Sequence, residues 1–462
     1  MVTTLLPAGQ WAQMEFCSAK LGDARRTRRL VEVATALAAK PTGALPQALP
    51  DGADLKAAYR LFSNEEISHE RILSPHWQRT LASCSDGAEY LIVEDTTVLD
   101  FSSRRAMEGL GPVGSSPWAL GMMVHSTLAL RVEAWDLEQK PEVTVAGLLD
   151  QYCWVRPPER LNQPKQRKRI LRRARESQRW ARLFEQQKAP ARGHWTFVAD
   201  RECDIYEAFV RCQNARVDFI IRASHPRALC EEEQNVFSAM RAAPLRGTFE
   251  LQLRSRRERA ARTVKLEVRS TSVTLRGTWR PGGRTAPLDL NVVFVREVGA
   301  KDKEALQWGL LTSLPCERFI EAQRIVSRYA QRWLIEEYHK ALKTGAQIER
   351  SQLATAQRIQ SMLAVCAVVA VRLLNTKLLA QTQPAVPIHA EVFGRELIAL
   401  LSARFGEPTE GWTHQTLLVA IARMGGFLAR ARDGDPGWLT IWRGWRELQT
   451  MADGVRLIRT CG

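Results

Sequence analysis

The chain has 462 residues, 45% of them hydrophobic, which is enough for two or three domains with substantial cores. Its formal net charge of +16 favours a polyanionic partner, most often nucleic acid, over a merely basic surface for solubility. Nine cysteines with no C-x-x-C pair and no Cys/His cluster exclude a zinc site of the usual spacing and favour free thiols in a reducing cytosol.

The first predicted elements are helices. Residues 21–40 show a helical pattern with Asp23 as a candidate N-cap, and residues 53–67 predict a second, short helix. We expect a helical N-terminal domain over residues 1–73.

Strand patterns begin after this helical region and alternate with helical ones. Short apolar or alternating runs predict strands at 90–93, 121–132, 142–149, 195–200, 217–222, 290–298 and 306–313. Helices are predicted at 165–187 and 203–213. The order indicates an α/β core over residues 74–380, built on a mixed sheet flanked by helices.

The end of the chain is predicted to be helical. Residues 362–371 form the longest apolar run, which is too short for a bilayer and predicts a buried helix. Residues 381–390 have the composition of a linker, and 381–462 indicate a small helical domain. The N-terminus also lacks the basic-then-apolar order of a signal peptide, so we expect a cytoplasmic protein with no membrane partner.

Most of the net charge lies in two segments. Residues 161–192 hold 11 Lys+Arg and 2 Asp+Glu, and residues 246–284 hold 11 Lys+Arg and 3 Asp+Glu. The second segment alternates and predicts a β-ribbon. Charge concentrated in this way indicates an electrostatic footprint for a polyanion.

The stretch YAQRWLIEEYHKALKTG, residues 329–345, has the pattern of an amphipathic helix. Its apolar residues fall on one side of a helical projection. The opposite arc of roughly 80° carries a phenol, a carboxylate and three cations. These five residues are Tyr329, Arg332, Glu336, Lys340 and Lys343. A lone acid among bases either neutralises them or holds a metal.

Two predicted strands end in an aspartate, Asp95 in LIVEDTT and Asp200 in FVADRE. Sites in sheets with parallel strands tend to lie beyond the carboxyl ends of those strands, so both acids can converge with Glu336. Three oxygen ligands without His or Cys suit Mg²⁺ or Mn²⁺, and two such ions support phosphoryl transfer. The cations on the same helix face, Arg332, Lys340 and Lys343, would then hold the DNA phosphates around the scissile one.

Each acid also has an ordinary structural alternative. A strand-end aspartate is usually a turn or cap residue, and Glu336 can simply pair with Arg332 and Lys340. Spacing alone does not distinguish the chosen aspartates from neighbouring acids. These competitors are Glu94, Asp100, Glu202 and Asp204.

The helix at 329–345 resembles the Y-x2-R-x3-E-x6-K signature of insertion-sequence-four family transposases, which are DDE enzymes with a ribonuclease H-like core. Tyr329, Arg332, Glu336 and Lys343 occupy its four positions. The stretches VEDTT and ADRECDIYEAFV resemble those around the first and second catalytic aspartates of the family, which fall on Asp95 and Asp200. The resemblance extends over nearly the whole chain.

This resemblance implies a role for each site residue. Asp95, Asp200 and Glu336 would bind two divalent metal ions, Mg²⁺ or Mn²⁺, with no organic cofactor. Tyr329, Arg332 and Lys343 would contact the phosphates of the transposon end. The remaining implied DNA contacts are Trp308, on a base flipped from a hairpin intermediate, Arg222 beside it, and Arg25, Arg26, Arg29 and Arg60 in an N-terminal end-binding domain.

The resemblance further implies a bacterial, nucleoid-associated enzyme that nicks transposon ends, forms and opens hairpins, and joins the 3′ ends to target DNA. Its partners would be double-stranded DNA and a second copy of the chain, bound through the C-terminal helices. The segment at 246–284 would be a β insertion in the core, and the highly basic stretch 164–182 has no assigned role.

Two other functions remain open on the sequence. A tyrosine recombinase would use Tyr329 as its nucleophile and would need no metal. A DNA-binding repressor descended from a transposase would bind the same ends without cutting them.

Overall fold

The computed structural model describes residues 6–41, 44–114, 116, 118–157, 176–231, 234–253, 262–280, 283–299, 305–430 and 433–461. Most of the stretch 164–182, and part of the segment 246–284, lie outside these ranges. The predictions for those residues therefore stay predictions.

The N-terminal region is helical, as the pattern predicts. Both predicted helices begin at an aspartate cap: Asp23 accepts a hydrogen bond from the backbone N–H of Arg25, and Asp51 from those of the first helical turn. The helices are α1 (Ala8–Phe16), α2 (Ala24–Ala39), α3 (Leu45–Ala48), α4 (Gly52–Phe62) and α5 (His69–Ser83). The boundary predicted at residue 73 falls inside α5.

A ten-stranded mixed sheet forms the centre of the described chain. Its first six strands are β1 (Glu89–Asp100), β2 (Gly111–Pro112), β3 (Leu120–Trp135), β4 (Pro141–Trp154), β5 (His194–Ala199) and β6 (Asp218–Arg222). Strands β1, β5 and β6 lie parallel in that order, and β3 runs antiparallel on the other side of β1 with β4 beyond it. The parallel strands bring their carboxyl ends to one edge of the sheet.

The second half of the sheet is built from the segment between β6 and residue 312. Strands β7 (Leu245–Leu253), β8 (Arg262–Leu275), β11 (Leu288–Glu297) and β12 (Gln307–Thr312) continue the sheet in the order β6, β12, β11, β8, β7, all antiparallel. A small separate hairpin pairs β9 (Trp279–Arg280) with β10 (Gly283–Arg284). The predicted β-ribbon is thus confirmed as strand structure in its described part, and it extends the sheet.

The sheet separates two hydrophobic cores because alternate strand residues face opposite sides. On β1, Leu91 and Val93 belong to the larger core, whereas Tyr90 and Ile92 belong to the smaller one. The larger core also contains the side chains of α1, α2, α4 and α5. The N-terminal helices therefore pack on the sheet without a separating linker.

The remaining helices cover both sides and the C-terminal end. They are α6 (Leu183–Gln186), α7 (Tyr206–Asn214), α8 (Val236–Ala242), α9 (Phe319–Ala330), α10 (Trp333–Lys340), α11 (Ala356–Thr382), α12 (Ala390–Phe393), α13 (Arg395–Phe405), α14 (His414–Met424) and α15 (Trp438–Cys461). Helix α11 is long and apolar enough to span a membrane by composition, but 83% of its most apolar window is buried inside the protein. The prediction of a buried helix is confirmed, and the domain boundary predicted at residue 380 falls near the end of α11.

Two predicted elements are wrong in their described parts. Strand β1 does not stop at Val93 but continues to Asp100, because β3 goes on pairing with it after β5 has ended. The helix predicted at 165–187 is not continuous over its described residues. A 3₁₀ turn (Glu176–Arg179) and α6 are separated by Ala181, whose φ of 56° interrupts a right-handed helix.

Candidate active site

Two aspartates lie side by side at the carboxyl ends of the parallel strands. The last parallel pair between β1 and β5 is Val93 with Val198, and both valines face the larger core. Asp95 lies two residues beyond Val93, and Asp200 lies two residues beyond Val198. Strand alternation thus places both acids on the same side of the sheet at the same edge. Asp200 follows its strand directly, as predicted, while Asp95 is held inside β1.

The helix that carries Glu336 is not the single helix that the pattern predicts. Helix α9 ends at Ala330 and α10 begins at Trp333, joined by a tight turn in which Arg332 N donates to Tyr329 O at 3.0 Å. After Lys340 the chain widens into a π turn, Ala341–Gly345. The predicted apolar side is nevertheless kept across these three segments. Leu334, Ile335, Tyr338 and Leu342 are fully buried.

Arg332 joins two of the three predicted catalytic acids. Its Nη1 lies 3.6 Å from Asp95 Oδ2, and its Nη2 donates to Glu336 Oε1. The guanidinium is largely buried, as is Asp95, whereas the Glu336 side chain is 41% exposed. Glu336 therefore forms the ion pair that its spacing from Arg332 allows, while its carboxylate stays accessible from solvent.

The three carboxylates are close enough to influence one another. Burial, with smaller contributions from the charges of Asp200 and Glu336, raises the pKa of Asp95 to about 6, although the hydrogen bond from Thr96 and the charge of Arg332 oppose the shift. The N–H of Thr96 donates to Asp95 Oδ1 at 2.8 Å and fixes that oxygen. Asp200 has a second attachment, since it caps the 3₁₀ turn after β5 by accepting from Glu202 N at 2.8 Å.

The donor set suits a hard divalent cation, although the acids are not yet in ligand positions. All available donors are carboxylate oxygens, which Mg²⁺ and Mn²⁺ prefer. Among the described residues, no three His, Cys, Asp or Glu side chains stand close enough together to hold a metal ion. Arg332 lies between Asp95 and Glu336, so it supplies the positive charge in this arrangement.

Trp308, Arg222 and Tyr329 form one cluster next to these acids. The Trp308 ring packs edge-on against Tyr329, with ring centroids 5.1 Å apart, and is only partly buried. Arg222, on the neighbouring strand β6, donates to Gln307 O at 3.3 Å, and its positive charge opposes the rise in the pKa of Tyr329. The structure thus brings these three predicted DNA contacts together.

Tyr329 has the surroundings of a packing residue. It is 4% exposed, and burial raises the pKa of its phenol, although Arg332 and Arg222 lower it. A phenol that is buried and harder to ionise is a poor nucleophile. The geometry therefore argues against a tyrosine recombinase that uses Tyr329.

Lys340 does not pair with Glu336. Its Nζ lies 2.6 Å from Glu337 Oε1, and Glu337 also binds Lys377 of α11 at 3.0 Å and the indole N–H of Trp438 at 2.9 Å. Burial favours the neutral acid, but the ion pairs with Lys377 and Lys340 hold the pKa of Glu337 at about 2. Glu337 is thus a structural residue that joins three helices. Lys343 lies 3.8 Å from Glu349 and keeps partial exposure.

The four competing acids have other surroundings. Asp204 is buried and bound by Arg227 and by the backbone of the loop after β6, and Glu94 is buried on the opposite side of the sheet from Asp95. Asp100 and Glu202 are exposed, and Asp100 accepts from Ser102 in a turn. Asp95 is the aspartate that shares Arg332 with Glu336, and the charge of Asp200 acts on Asp95.

Three of the four N-terminal arginines are engaged in ion pairs. Arg25 binds Asp23, Arg26 binds Glu66, and Arg29 binds Asp54 at 2.6 Å. These partially exposed pairs are weak and can exchange for phosphate at small cost. Arg60 is exposed and has no ion pair within the described residues.

Sequence reasoning missed other exposed cations of this region. Lys20, Arg28 and Lys56 are exposed and have no ion pair with any described residue. Arg28 lies between Arg26 and Arg29 in the same basic run, so the sequence pattern that indicated those two arginines applies to Arg28 as well. Lys377 was also missed because its partner Glu337 lies 40 residues earlier in the chain.

Comparison with known proteins identifies two domains. Residues 8–67 match the family model described as Transposase DNA-binding, and residues 165–372 match that described as Transposase DDE domain. The first match contains the four predicted N-terminal arginines. The second contains Asp200 and Glu336 but not Asp95, whose assignment rests on the strand register and the ion pair with Arg332.

A search of solved structures gives a piggyBac transposase synaptic complex with hairpin DNA, studied by cryo-EM. Its TM-score is 0.35 at 10% sequence identity, and the match covers 99% of this chain and 81% of that chain.

The DDE domain match identifies the mixed sheet and its flanking helices as the predicted ribonuclease H-like core. A DDE domain is a polynucleotidyl transferase, and the N-terminal match adds a domain for DNA. The two matches together place the chain among the DDE transposases that carry a transposase DNA-binding domain.

Proposed function

We propose that the chain binds the inverted-repeat ends of its own mobile element, cuts them by metal-dependent phosphoryl transfer and joins their 3′ ends to target DNA. The observation that carries this proposal is the placement of Asp95 level with Asp200 at one edge of the sheet, with Arg332 joining Asp95 to Glu336. On sequence resemblance we place the chain in the insertion-sequence-four family, near the cut-and-paste transposase of bacterial transposon five.

Asp95, Asp200 and Glu336 are the residues that would hold Mg²⁺ or Mn²⁺. When bound, two such ions supply Lewis acidity for an attacking water or hydroxyl and for the leaving oxygen. The protein provides a rigid strand for Asp95, a capped turn for Asp200 and a helix for Glu336. Rigid supports of this kind hold ligands in place without large reorganisation.

Arg332 has a second role in this proposal. In the DNA-free protein it offsets the repulsion between Asp95 and Glu336. A guanidinium binds phosphate in the same planar, two-point manner as carboxylate. A DNA phosphate that enters the site can therefore replace the carboxylates as the ion-pair partner of Arg332. Lys343, partly exposed on the next turn, adds a further positive charge for the backbone.

The cluster of Trp308, Arg222 and Tyr329 suits an unstacked nucleotide. The partly exposed indole offers a stacking surface, and Arg222 lies beside it for the adjoining phosphate. This arrangement supports a course in which each end is nicked, closed as a hairpin and reopened before strand transfer. A second copy of the chain, bound through the C-terminal helices, would hold the other end.

Glu336 and its neighbour Glu337 should have different roles, one catalytic and one structural. Glu336→Gln should abolish cleavage and leave end binding intact, because it removes a metal ligand while Arg332 and Lys343 remain to hold phosphate. Cleavage time courses in Mg²⁺ on the inverted repeats that flank the gene, beside binding isotherms in EDTA, measure both effects.

Glu337→Gln is the matched control, one residue along the same helix. It breaks the ion pairs with Lys340 and Lys377 and should lower stability by about 3–5 kcal/mol, as for other buried pairs that lose one partner. The folded fraction should still cut DNA. If Glu336→Gln cuts at the wild-type rate, Glu336 is not the third catalytic acid. If the wild-type protein binds the ends but never cuts them, the chain acts as a repressor.

A further inference from the structure

A buried polar network lies directly behind Asp95. Glu94, which precedes Asp95 in β1, is 1% exposed and accepts three hydrogen bonds. The donors are the hydroxyl of Thr127 at 2.8 Å, the backbone N–H of Ala181 at 2.8 Å and the ring Nε2 of His125 at 3.2 Å. Both carboxyl oxygens of this buried side chain therefore have hydrogen-bond partners.

His125 continues the network to Thr96. Its Nδ1 lies 2.9 Å from Thr96 Oγ1, across the β1–β3 pairing that sets Thr96 opposite His125. A carboxylate only accepts, so Nε2 carries the proton that faces Glu94. In a neutral ring Nδ1 is then the acceptor, and the Thr96 hydroxyl must donate to it.

Thr96 connects this network to the other side of the sheet. Glu94 and Thr96 point to the smaller core, whereas Asp95 between them points to the active-site side. The backbone N–H of Thr96 donates to Asp95 Oδ1 at 2.8 Å. The hydroxyl of Thr96 is thus fixed from behind by His125, while its N–H fixes the Asp95 carboxylate in front.

The network is anchored by the segment that precedes α6. Trp180 packs edge-on against the His125 ring, with centroids 4.8 Å apart, and is followed by Ala181, whose φ of 56° turns its N–H toward Glu94. A non-glycine residue holds this conformation only where its surroundings require it. The strained position supports a role for the contact between Ala181 and Glu94.

We propose that Glu94, His125 and Thr96 form a positioning network that fixes the carboxylate of Asp95 for metal binding. Buried polar networks specify one geometry at a cost in desolvation, and here the geometry that is specified belongs to the strand residue facing Asp200 and Glu336. This inference deepens the proposed function and rests on Asp95 being a metal ligand.

The test uses two substitutions at one site, of which one removes the hydroxyl and the other removes only the methyl group. Thr96→Val removes the hydroxyl at nearly constant volume, and Thr96→Ser retains it. Thr96→Val should cut end DNA about 10–100-fold more slowly at saturating DNA, the usual effect of losing an outer partner of a metal ligand. It should also bind Mn²⁺ more weakly, measured by electron paramagnetic resonance on the DNA-free protein. Thr96→Ser should behave like the wild type in both measurements.

His125→Phe tests the same network at a second residue. It keeps a ring against Trp180 but removes both hydrogen bonds, so it should weaken Mn²⁺ binding and cleavage as Thr96→Val does. End binding in EDTA and the melting temperature serve as controls for folding. The inference is overturned if Thr96→Val and His125→Phe match the wild type in Mn²⁺ binding. It is also overturned if their losses only follow a loss of folded protein, or if Thr96→Ser loses as much as Thr96→Val.

Failure of the proposed function gives a different result. If the wild-type protein does not cut end DNA, the transposition proposal is wrong. The positioning role can still be tested, because the Mn²⁺ affinities of Thr96→Val and Thr96→Ser are measured without DNA. A wild-type protein that binds no Mn²⁺ at all overturns the positioning role.

Discussion

Asp95 is held in surroundings that favour its neutral form. Burial raises its pKa to about 6, with Asp200 and Glu336 adding to the effect of burial. An acid with a raised pKa in the folded state stabilises folding only while it is protonated. That stability is complete below the unfolded pKa near 3.8 and is lost as the pH rises through about 6. The active site thus lowers the stability of the metal-free protein at neutral pH.

Asp95→Asn should therefore stabilise the protein in EDTA at pH 8 while abolishing cleavage. The pKa shift corresponds to an upper limit of about 3 kcal/mol. The gain should shrink between pH 6 and pH 4. Urea unfolding at several pH values measures it.

Asp100→Asn on the same strand is the control with the opposite sign. The hydroxyl and backbone of Ser102 hold the pKa of Asp100 below its usual value, so this substitution should not stabilise. A fall in stability for Asp95→Asn at pH 8 would show that its ion pair with Arg332 outweighs its burial.

At the scale of secondary-structure elements, the site depends on how α9, α10 and β12 meet. Tyr329, near the end of α9, packs against Trp308 of β12, and Arg332, in the turn before α10, reaches Asp95 of β1. The π turn after Lys340 is a feature often found at functional sites, and here it precedes the loop that holds Glu349 near Lys343.

Trp308→Ala should slow hairpin formation more than the first nick. A base stacked on an aromatic ring gains about 1–3 kcal/mol. The base can stack on Trp308 only after it has left the duplex, so the substitution should affect hairpin formation and not the earlier nick. Gel assays that separate nicked from hairpin products give the ratio of the two rates.

Trp308→Phe is the control for packing, because it keeps a ring against Tyr329 and should retain part of the hairpin rate. Equal loss of both steps in Trp308→Ala, together with a lower melting temperature, would identify Trp308 as a packing residue only.

Across the whole molecule, the N-terminal, central and C-terminal regions are joined by specific contacts. Glu15 of α1 binds His76 of α5 at 2.8 Å, and His76 in turn accepts from Leu148 N of β4 at 3.0 Å. The indole N–H of Trp445, in α15, donates to Ala39 O at 2.9 Å. The helices of the DNA-binding match therefore share a core with the sheet that carries the acids.

DNA binding by the intact chain should be strongly salt-dependent. The two basic segments carry net charges of +9 and +8, and each neutralised phosphate lowers log K by about 0.9 per unit of log salt. Anisotropy titrations of an end duplex between low and physiological salt give the slope. A flat response would remove an electrostatic DNA interface from the proposal.

The sequence by itself determined the classes of element and the candidate acids. Strand and helix patterns are local, so the strands that carry Asp95 and Asp200, the cap at Asp23 and the buried helix α11 could be predicted from neighbouring residues. The apolar back of 329–345 was also predictable, because residues three and four apart keep facing the core across one irregular turn.

Only the tertiary structure decided which side chains meet. Pairing with β3 carries β1 past Asp95, and the register with β5 brings Asp95 level with Asp200. The links from Glu94 to His125 and from Glu337 to Lys377 join residues 31 and 40 positions apart. Such contacts arise from the packing of whole elements against one another, and the hydrophobic periodicity of a single segment does not predict them.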